Sequence, residues 1–80
     1  MSNISGKVSQ IVGPVIDVEF KNNTELPKIY DSLEIKRDNG STLVLEVQSH
    51  IGENSVRTIA MDSSDGLSRG VKAYVTGSPI

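Results

Sequence analysis

Apolar side chains recur at every second position along most of this chain. In the first run the predicted inward set is Val8, Val12, Ile16, Val18 and Phe20, and the predicted outward set is Lys7, Ser9, Asp17 and Glu19. Successive side chains of a β-strand point to opposite faces, so a period of two is typical of half-buried strands. The pattern predicts an all-β protein.

The first run is interrupted by the step Gly13-Pro14. Proline has no amide hydrogen to give to a ladder, and glycine accepts positive φ angles, so this pair favours a corner over a continuous strand. We predict a tight reversal or a barrel corner here, with the inward face preserved across it.

A hairpin is predicted in the middle of the chain. The run 33–37 alternates apolar and charged side chains, Asp38-Asn39-Gly40 follows it, and a partner strand extends from Thr42 to Gln48. Asn-Gly between alternating runs favours a type I′ turn, because both residues tolerate positive φ. The predicted inward side chains of the two strands are Leu33, Ile35, Leu43, Leu45 and Val47.

The second half of the chain predicts two more strands and two loops. A turn at 51–54 precedes a strand at 56–61, which places Val56, Thr58 and Ala60 on one face and Arg57, Ile59 and Met61 on the other. A loop over 62–70 with the apolar anchor Leu67 leads to a last strand at 71–75, which residues 76–79 are expected to end. An earlier loop, 22–32, is expected to contain two or three buried anchors among Leu26-Pro27 and Ile29-Tyr30.

These short strands favour a small closed barrel. No helix is long enough for a parallel crossover, so the sheet is expected to be antiparallel. An open sheet of this length would expose edges that pair with other chains, and closure removes those edges. We therefore predict a small closed six-stranded antiparallel β-barrel over residues 5–80, preceded by a disordered tail at residues 1–4.

Composition excludes several classes of site. The 80 residues contain no cysteine and a single histidine, His50, which excludes disulfides and thiolate metal sites. A net charge of −2 argues against a surface built to neutralise phosphates. No segment approaches the roughly 20 apolar residues of a membrane helix, and the N-terminus lacks signal-peptide features, so we expect a soluble, non-secreted protein.

The candidate chemistry is sparse. Asp17 and Glu19 share a strand face, but that face is polar, and exposed carboxylates keep ordinary acidity. Asp62 and Asp65 are typical of turn chemistry, and His50 of a hydrogen-bonded packing residue. The segment 66–72 lacks the spacing of a phosphate loop. No catalytic, cofactor-binding or metal residue is predicted.

Several segments together resemble the N-terminal β-barrel domain of ATP synthase F1 β subunits. They are Gly6-Lys7-Val8, 12–20 (VGPVIDVEF), 43–47 (LVLEV), 50–62 (HIGENSVRTIAMD) and 66–70 (GLSRG). They occur in the family's order and cover the chain from about Ser5 to Ile80. The chain departs from the family near its end, where the family usually has Asp-Thr-Gly before Pro-Ile and this chain has Val75-Thr76-Gly77-Ser78 before Pro79-Ile80.

The resemblance implies a structural role in an assembly. In the family, three such barrels from α subunits and three from β subunits form a ring, so α subunits are the expected partners, and self-association of this chain is a further expectation. The parent enzyme uses Mg-ATP and ADP in a domain that follows, so no cofactor and no enzymatic activity are expected of these residues. The expected location is the peripheral F1 sector at the cytoplasmic face of a bacterial inner membrane.

Two other readings stay open at this stage. One is a free-standing small barrel that binds a nucleic acid or a peptide, as oligonucleotide-binding folds do. It would require a basic face with aromatic side chains, and the chain offers Phe20, Tyr30 and Tyr74. The other is a fragment that retains ATPase activity, for which the residues supply no recognisable site.

Overall fold

A computed structural model of the protein describes residues 4–22 and 24–80 as a closed six-stranded antiparallel β-barrel. The strands follow one another around the barrel in the order β1-β2-β5-β4-β3-β6, and every neighbouring pair is antiparallel. This confirms the predicted fold class. The strands are β1 (Ser5–Val12), β2 (Val15–Glu19), β3 (Asp31–Lys36), β4 (Thr42–Ile51), β5 (Ser55–Ala60) and β6 (Lys72–Pro79).

The interior is filled by one side chain from every second strand position. The buried apolar residues are Val8, Ile16, Val18, Phe20, Leu33, Ile35, Leu43, Leu45, Val47, Val56, Ala60 and Ala73. Burial of a medium or large aliphatic side chain stabilises a fold by roughly 1.5–3 kcal/mol. Thr58 lies among them, and its hydroxyl donates a hydrogen bond to the carbonyl of Ile16 at 2.7 Å, so this buried polar group is satisfied.

The predicted inward position of Val12 is wrong, and a β-bulge explains why. Val8 pairs with Val18, but Gln10 pairs with Asp17, so Ser9 is an extra residue on β1. One extra residue reverses which side chains face inward. Ile11 therefore packs against the core, whereas Val12 is 59% exposed on the outside.

The step Gly13-Pro14 forms the tight reversal that the sequence predicts. Val12 pairs with Val15 across it, and Gly13 has a φ of 57°. A positive φ at the first of two turn residues, with proline at the second, is the type II′ arrangement. The turn is held from outside, since the Ser64 hydroxyl donates to the Gly13 carbonyl at 2.9 Å.

The β3–β4 hairpin forms where the sequence predicts it, but the type I′ turn is wrong. Arg37 and Ser41 pair, with the Arg37 amide donating to the Ser41 carbonyl at 2.9 Å, and the Gly40 amide donates to the Arg37 carbonyl at 3.0 Å. Positive φ occurs at Gly40 (89°) and not at Asn39. The connection is therefore a three-residue loop with glycine in the left-handed position. Asn39 instead accepts hydrogen bonds from the Ser41 amide and hydroxyl.

Two strands run further than the pattern predicts. β4 continues to Ile51, and β6 includes residues 76–79, which were expected to break it. The β3–β6 register shifts between Asp31 and Leu33, so the extra residues of β6 are accommodated as an irregularity. The Ser32 hydroxyl lies 2.7 Å from the Thr76 hydroxyl, and this contact ties the irregular part of β6 to β3.

The loops supply apolar anchors to the core, as the sequence predicts. In the described part of the 22–32 loop, Leu26 packs against the core and Pro27 is buried, as expected. Ile29 and Tyr30 are 40% and 62% exposed, so Leu26 and Pro27 are the two anchors of the described part of this loop. Leu67 of the 62–70 loop packs against the core, as predicted.

The predicted tail at residues 1–4 lies outside the described residues except for Ile4. The carbonyl of Ile4 accepts a hydrogen bond from the amide of Val75 at 3.0 Å. This bond continues the pairing of β1 with β6 by one step.

Gly6 lies at the closure of the barrel, where β1 pairs with both β2 and β6. It is buried, and a Cβ at this position would lie 2.7 Å from Cγ1 of Val18 and 2.8 Å from the carbonyl oxygen of Glu19. Atoms cannot approach so closely, and the second contact is with backbone, which cannot rotate away. This close approach of β1 to β2 therefore requires a residue without a side chain.

Gly6→Ala is expected to lower the free energy of unfolding by about 1–3 kcal/mol, because the added methyl group overpacks the contact of β1 with Val18 and Glu19. Urea unfolding followed by circular dichroism measures the change. Lys7→Ala, at the neighbouring solvent-facing position, is the control and should change it by less than about 0.5 kcal/mol. Equal stability of Gly6→Ala and the parent chain would contradict the close approach.

Gly13→Val is expected to destabilise the barrel by roughly 2 kcal/mol, because a β-branched residue is strained at positive φ. The space is open, since an added Cβ at Gly13 meets nothing within 4 Å, so strain alone would cause the loss. Gly13→Asn is the matched variant and should cost less, since asparagine tolerates this conformation. A melting temperature unchanged in Gly13→Val would contradict the turn.

Candidate assembly surface

An apolar patch covers part of the outside of the barrel, and we call it the outer apolar surface. Its members are Val12, Val15, Val44, Ile59 and Met61. Val12 pairs with Val15 across β1 and β2, and Val15 pairs with Ile59 across β2 and β5. The Met61 amide donates to the Val44 carbonyl at 2.9 Å, which brings β4 alongside. These five residues therefore adjoin one another across four neighbouring strands.

The members of this surface are exposed to different extents. Val12 and Met61 are 59% and 47% exposed, and the other three are partly covered. Single exposed apolar side chains are ordinary on protein surfaces, but contiguous ones mark interaction sites. The closed interior has no room for these side chains, so only another surface can bury them.

A salt bridge lies beside the outer apolar surface. The Arg57 Nε and Nη2 atoms donate to the two carboxylate oxygens of Asp17, each at 3.0 Å, across the paired strands β2 and β5. Such a two-point contact fixes both side chains and is stronger than a single bond. Asp17 and Arg57 also line a cleft of about 300 Å³ with Gln10, Val12 and Val15.

The predicted exposure of Asp17 is wrong, because Arg57 covers its side chain. Asp17 was predicted on an exposed polar face, but it is 6% exposed, because the Arg57 side chain lies over it. The hydrogen bond to Asp17, and then the attraction of its charge, raise the pKa of Arg57 above its ordinary value. Because the pKa of Arg57 is raised, the stabilisation that depends on its positive charge is lost only as pH rises through that pKa. Arg57 therefore stays charged at neutral and moderately alkaline pH.

The other candidate residues have structural roles. The Nε2 atom of His50 lies 2.7 Å from the carbonyl oxygen of Pro27, which confirms the predicted hydrogen bond, and the residue lies in β4 with its surface exposed. The Asp62 carboxylate accepts a hydrogen bond from the Ser63 amide at 2.7 Å, as turn chemistry predicts. Asp65 takes part in the same turn through its backbone, since its amide donates a hydrogen bond to the Ser63 hydroxyl at 3.1 Å.

Neither a metal-ligand cluster nor a membrane-spanning helix is found among the residues that the structure describes. Among residues 4–22 and 24–80, no three of the His, Asp and Glu side chains lie together as metal ligands would. Over the same ranges, no helix has the length and apolarity needed to cross a membrane.

The three aromatic side chains lie in different parts of the barrel, and Tyr74 shares the outer face of β6 with Lys72. Phe20 is 4% exposed and belongs to the core. Tyr30 precedes β3 and is 62% exposed, and Tyr74 lies on β6 and is 39% exposed. Lys36, one of the two residues of the longest basic run, lies 4.0 Å from Glu34, which is a weak surface ion pair.

Arg57→Gln is expected to lower the urea midpoint more than Asp17→Asn does. The first variant leaves a buried carboxylate without its partner, whereas the second leaves an arginine that water can reach. The double variant should lose less than the sum of the two single losses, because either single change already breaks the pair. Strictly additive losses would show that the two side chains do not act together.

A comparison with protein families agrees with the barrel. Residues 8–77 match the ATP synthase alpha/beta family, beta-barrel domain. The match includes all of β2, β3, β4 and β5 and most of β1 and β6. It also includes all five residues of the outer apolar surface. The chain therefore belongs to the ATP synthase alpha/beta family, as its beta-barrel domain.

Proposed function

We propose that this chain is the N-terminal barrel of an ATP synthase β subunit and that it holds neighbouring subunits together in the F1 head. The family supports the first part at the level of alpha or beta subunits. The sequence of residues 50–62, HIGENSVRTIAMD, favours a β subunit over an α subunit, since it resembles the sequences of β subunits. The outer apolar surface is the observation that carries the second part.

The proposed partners are the barrels of α subunits on either side. The outer apolar surface extends across β1, β2, β5 and β4, so a neighbour that covers it would contact the wall of the barrel and leave its interior undisturbed. Apolar burial drives such association, and an interface core that excludes charge is typical of stable assemblies. The Asp17–Arg57 salt bridge beside it is already internally paired, so covering it would leave no charge without a partner.

The proposed role is mechanical support, with the chemistry elsewhere. The parent enzyme would produce ATP from ADP in the presence of a proton gradient, with Mg-ATP and ADP bound in another domain. The barrel would keep subunits at a fixed spacing while those domains open and close. The proposed location is the peripheral F1 sector on the cytoplasmic face of a bacterial inner membrane.

Val12→Lys is expected to weaken association of the chain with α subunits by about tenfold or more, because an ammonium in an apolar contact costs on the order of 1–3 kcal/mol. Sedimentation velocity of the chain mixed with purified α subunit measures this association. Since Val12 is 59% exposed, the substitution should leave the barrel folded, and circular dichroism checks this.

Ser68→Lys is the matched control, because it adds the same charge at an exposed loop position outside the surface. It should associate with α subunits as the parent chain does. Equal association of both variants would exclude the outer apolar surface as the contact. Failure of the parent chain to associate with α subunits at all would overturn the proposed function.

A further inference from the structure

A groove opens where β1 and β2 diverge, and we call it the lysine groove. The last pair of the β1–β2 ladder is Lys7 with Glu19. Beyond it the Phe20 amide donates to the Asn54 carbonyl, so the chain after β2 stays beside the residue that precedes β5. The space between β1 and this part of the chain is about 430 Å³, and it is lined by Gly6, Lys7, Glu19, Phe20, Lys21 and Lys72.

Positive charge is concentrated in this groove. The chain has five lysines and a net charge of −2, yet three of the five lysines line this one space. One carboxylate, Glu19, lies among them. A site of positive sign on an acidic protein attracts anionic partners selectively, since the remaining surface repels them.

The arrangement of these lysines opposes the stability of the barrel. Lys7 and Lys72 are direct partners across β1 and β6, so their side chains leave the same face side by side. Like charges directly opposite each other in a sheet are destabilising. None of the three lysines has an ion pair within 4.0 Å among the described residues. A bound anion would remove this repulsion.

The chemistry of the groove selects among anions. Compact phosphate sites use arginine forks or clustered backbone amides at positive-φ residues, and this groove contains neither an arginine nor a positive-φ residue. Single-stranded nucleic acid would need several exposed aromatic rings on which successive bases stack. Phe20, which lines the groove, is 4% exposed, and Tyr74, two residues from Lys72 on β6, offers one ring that is 39% exposed. Lysines are point charges on long flexible stems, which suits several separate carboxylates.

We propose that the lysine groove binds an acidic peptide segment of a protein partner, with glutamate or aspartate carboxylates placed between Lys7, Lys21 and Lys72. The groove shares no residue with the outer apolar surface, and the two features lie at opposite ends of the β1–β2 hairpin. This inference does not rest on the proposed function. Because the two features are separate, a peptide can occupy the lysine groove while the outer apolar surface is covered by a neighbouring subunit.

A nuclear magnetic resonance titration with blocked hexaglutamate at low salt tests the proposal. Saturable shifts of backbone amides are expected at residues 5–7, 19–21 and 72, with hexaglutamine giving none. The double variant Lys7→Gln/Lys72→Gln should bind hexaglutamate about tenfold more weakly, because each exposed charge pair is worth roughly a factor of three. Preserved dispersion of its amide spectrum shows that the variant is folded.

The control double variant Lys28→Gln/Lys36→Gln removes the same charge outside the groove and should bind as the parent chain does. Equal weakening of both double variants would reduce the effect to overall charge and overturn the site. Inorganic phosphate or an oligothymidine that shifts the same amides at lower concentration than hexaglutamate would overturn the acidic-peptide assignment. Association with α subunits is a separate measurement, so either proposal can fail alone.

Discussion

The barrel depends on the short seam that joins its first strand to its last. β1 pairs with β6 through three residues, Ser5, Gly6 and Lys7, while the same strand pairs with β2 along most of its length. Closure at this seam turns a sheet with two exposed edges into a cylinder with none. Gly6 lies in this seam, and it also lets β1 lie close against β2, because any side chain there would occupy the space of Val18 and of the Glu19 backbone.

Closure also determines where function can reside. One face of every strand is used up in the packed interior, so ligands and partners meet only the outer face, the rims and the loops. Two outer features result, the outer apolar surface and the lysine groove, and they use opposite ends of the β1–β2 hairpin. The Asp17–Arg57 salt bridge lies beside the first and fixes the register of β2 against β5.

The sequence predicts the fold class because alternation and turn residues act locally. Prediction from the sequence fails where one extra residue in a strand reverses which side chains face inward. The extra residue Ser9 moves Ile11 inward and Val12 outward, and both are apolar, so the pattern cannot distinguish the two registers. The partner of Asp17 lies 40 residues away on β5 and depends on strand order around the barrel, which alternation does not encode. Lys7, Lys21 and Lys72 likewise come together only through the strand order around the barrel, so alternation does not predict the lysine groove.

Interstrand nuclear Overhauser effects across the seam test the closed barrel most directly. Closure predicts contacts between the backbone protons of Ser5, Gly6 and Lys7 and those of Tyr74, Ala73 and Lys72, respectively, as the observed register requires. Slow exchange of the seam's paired amides should accompany them. Absence of these contacts in a chain whose other five ladders are intact would show an open sheet and contradict the account.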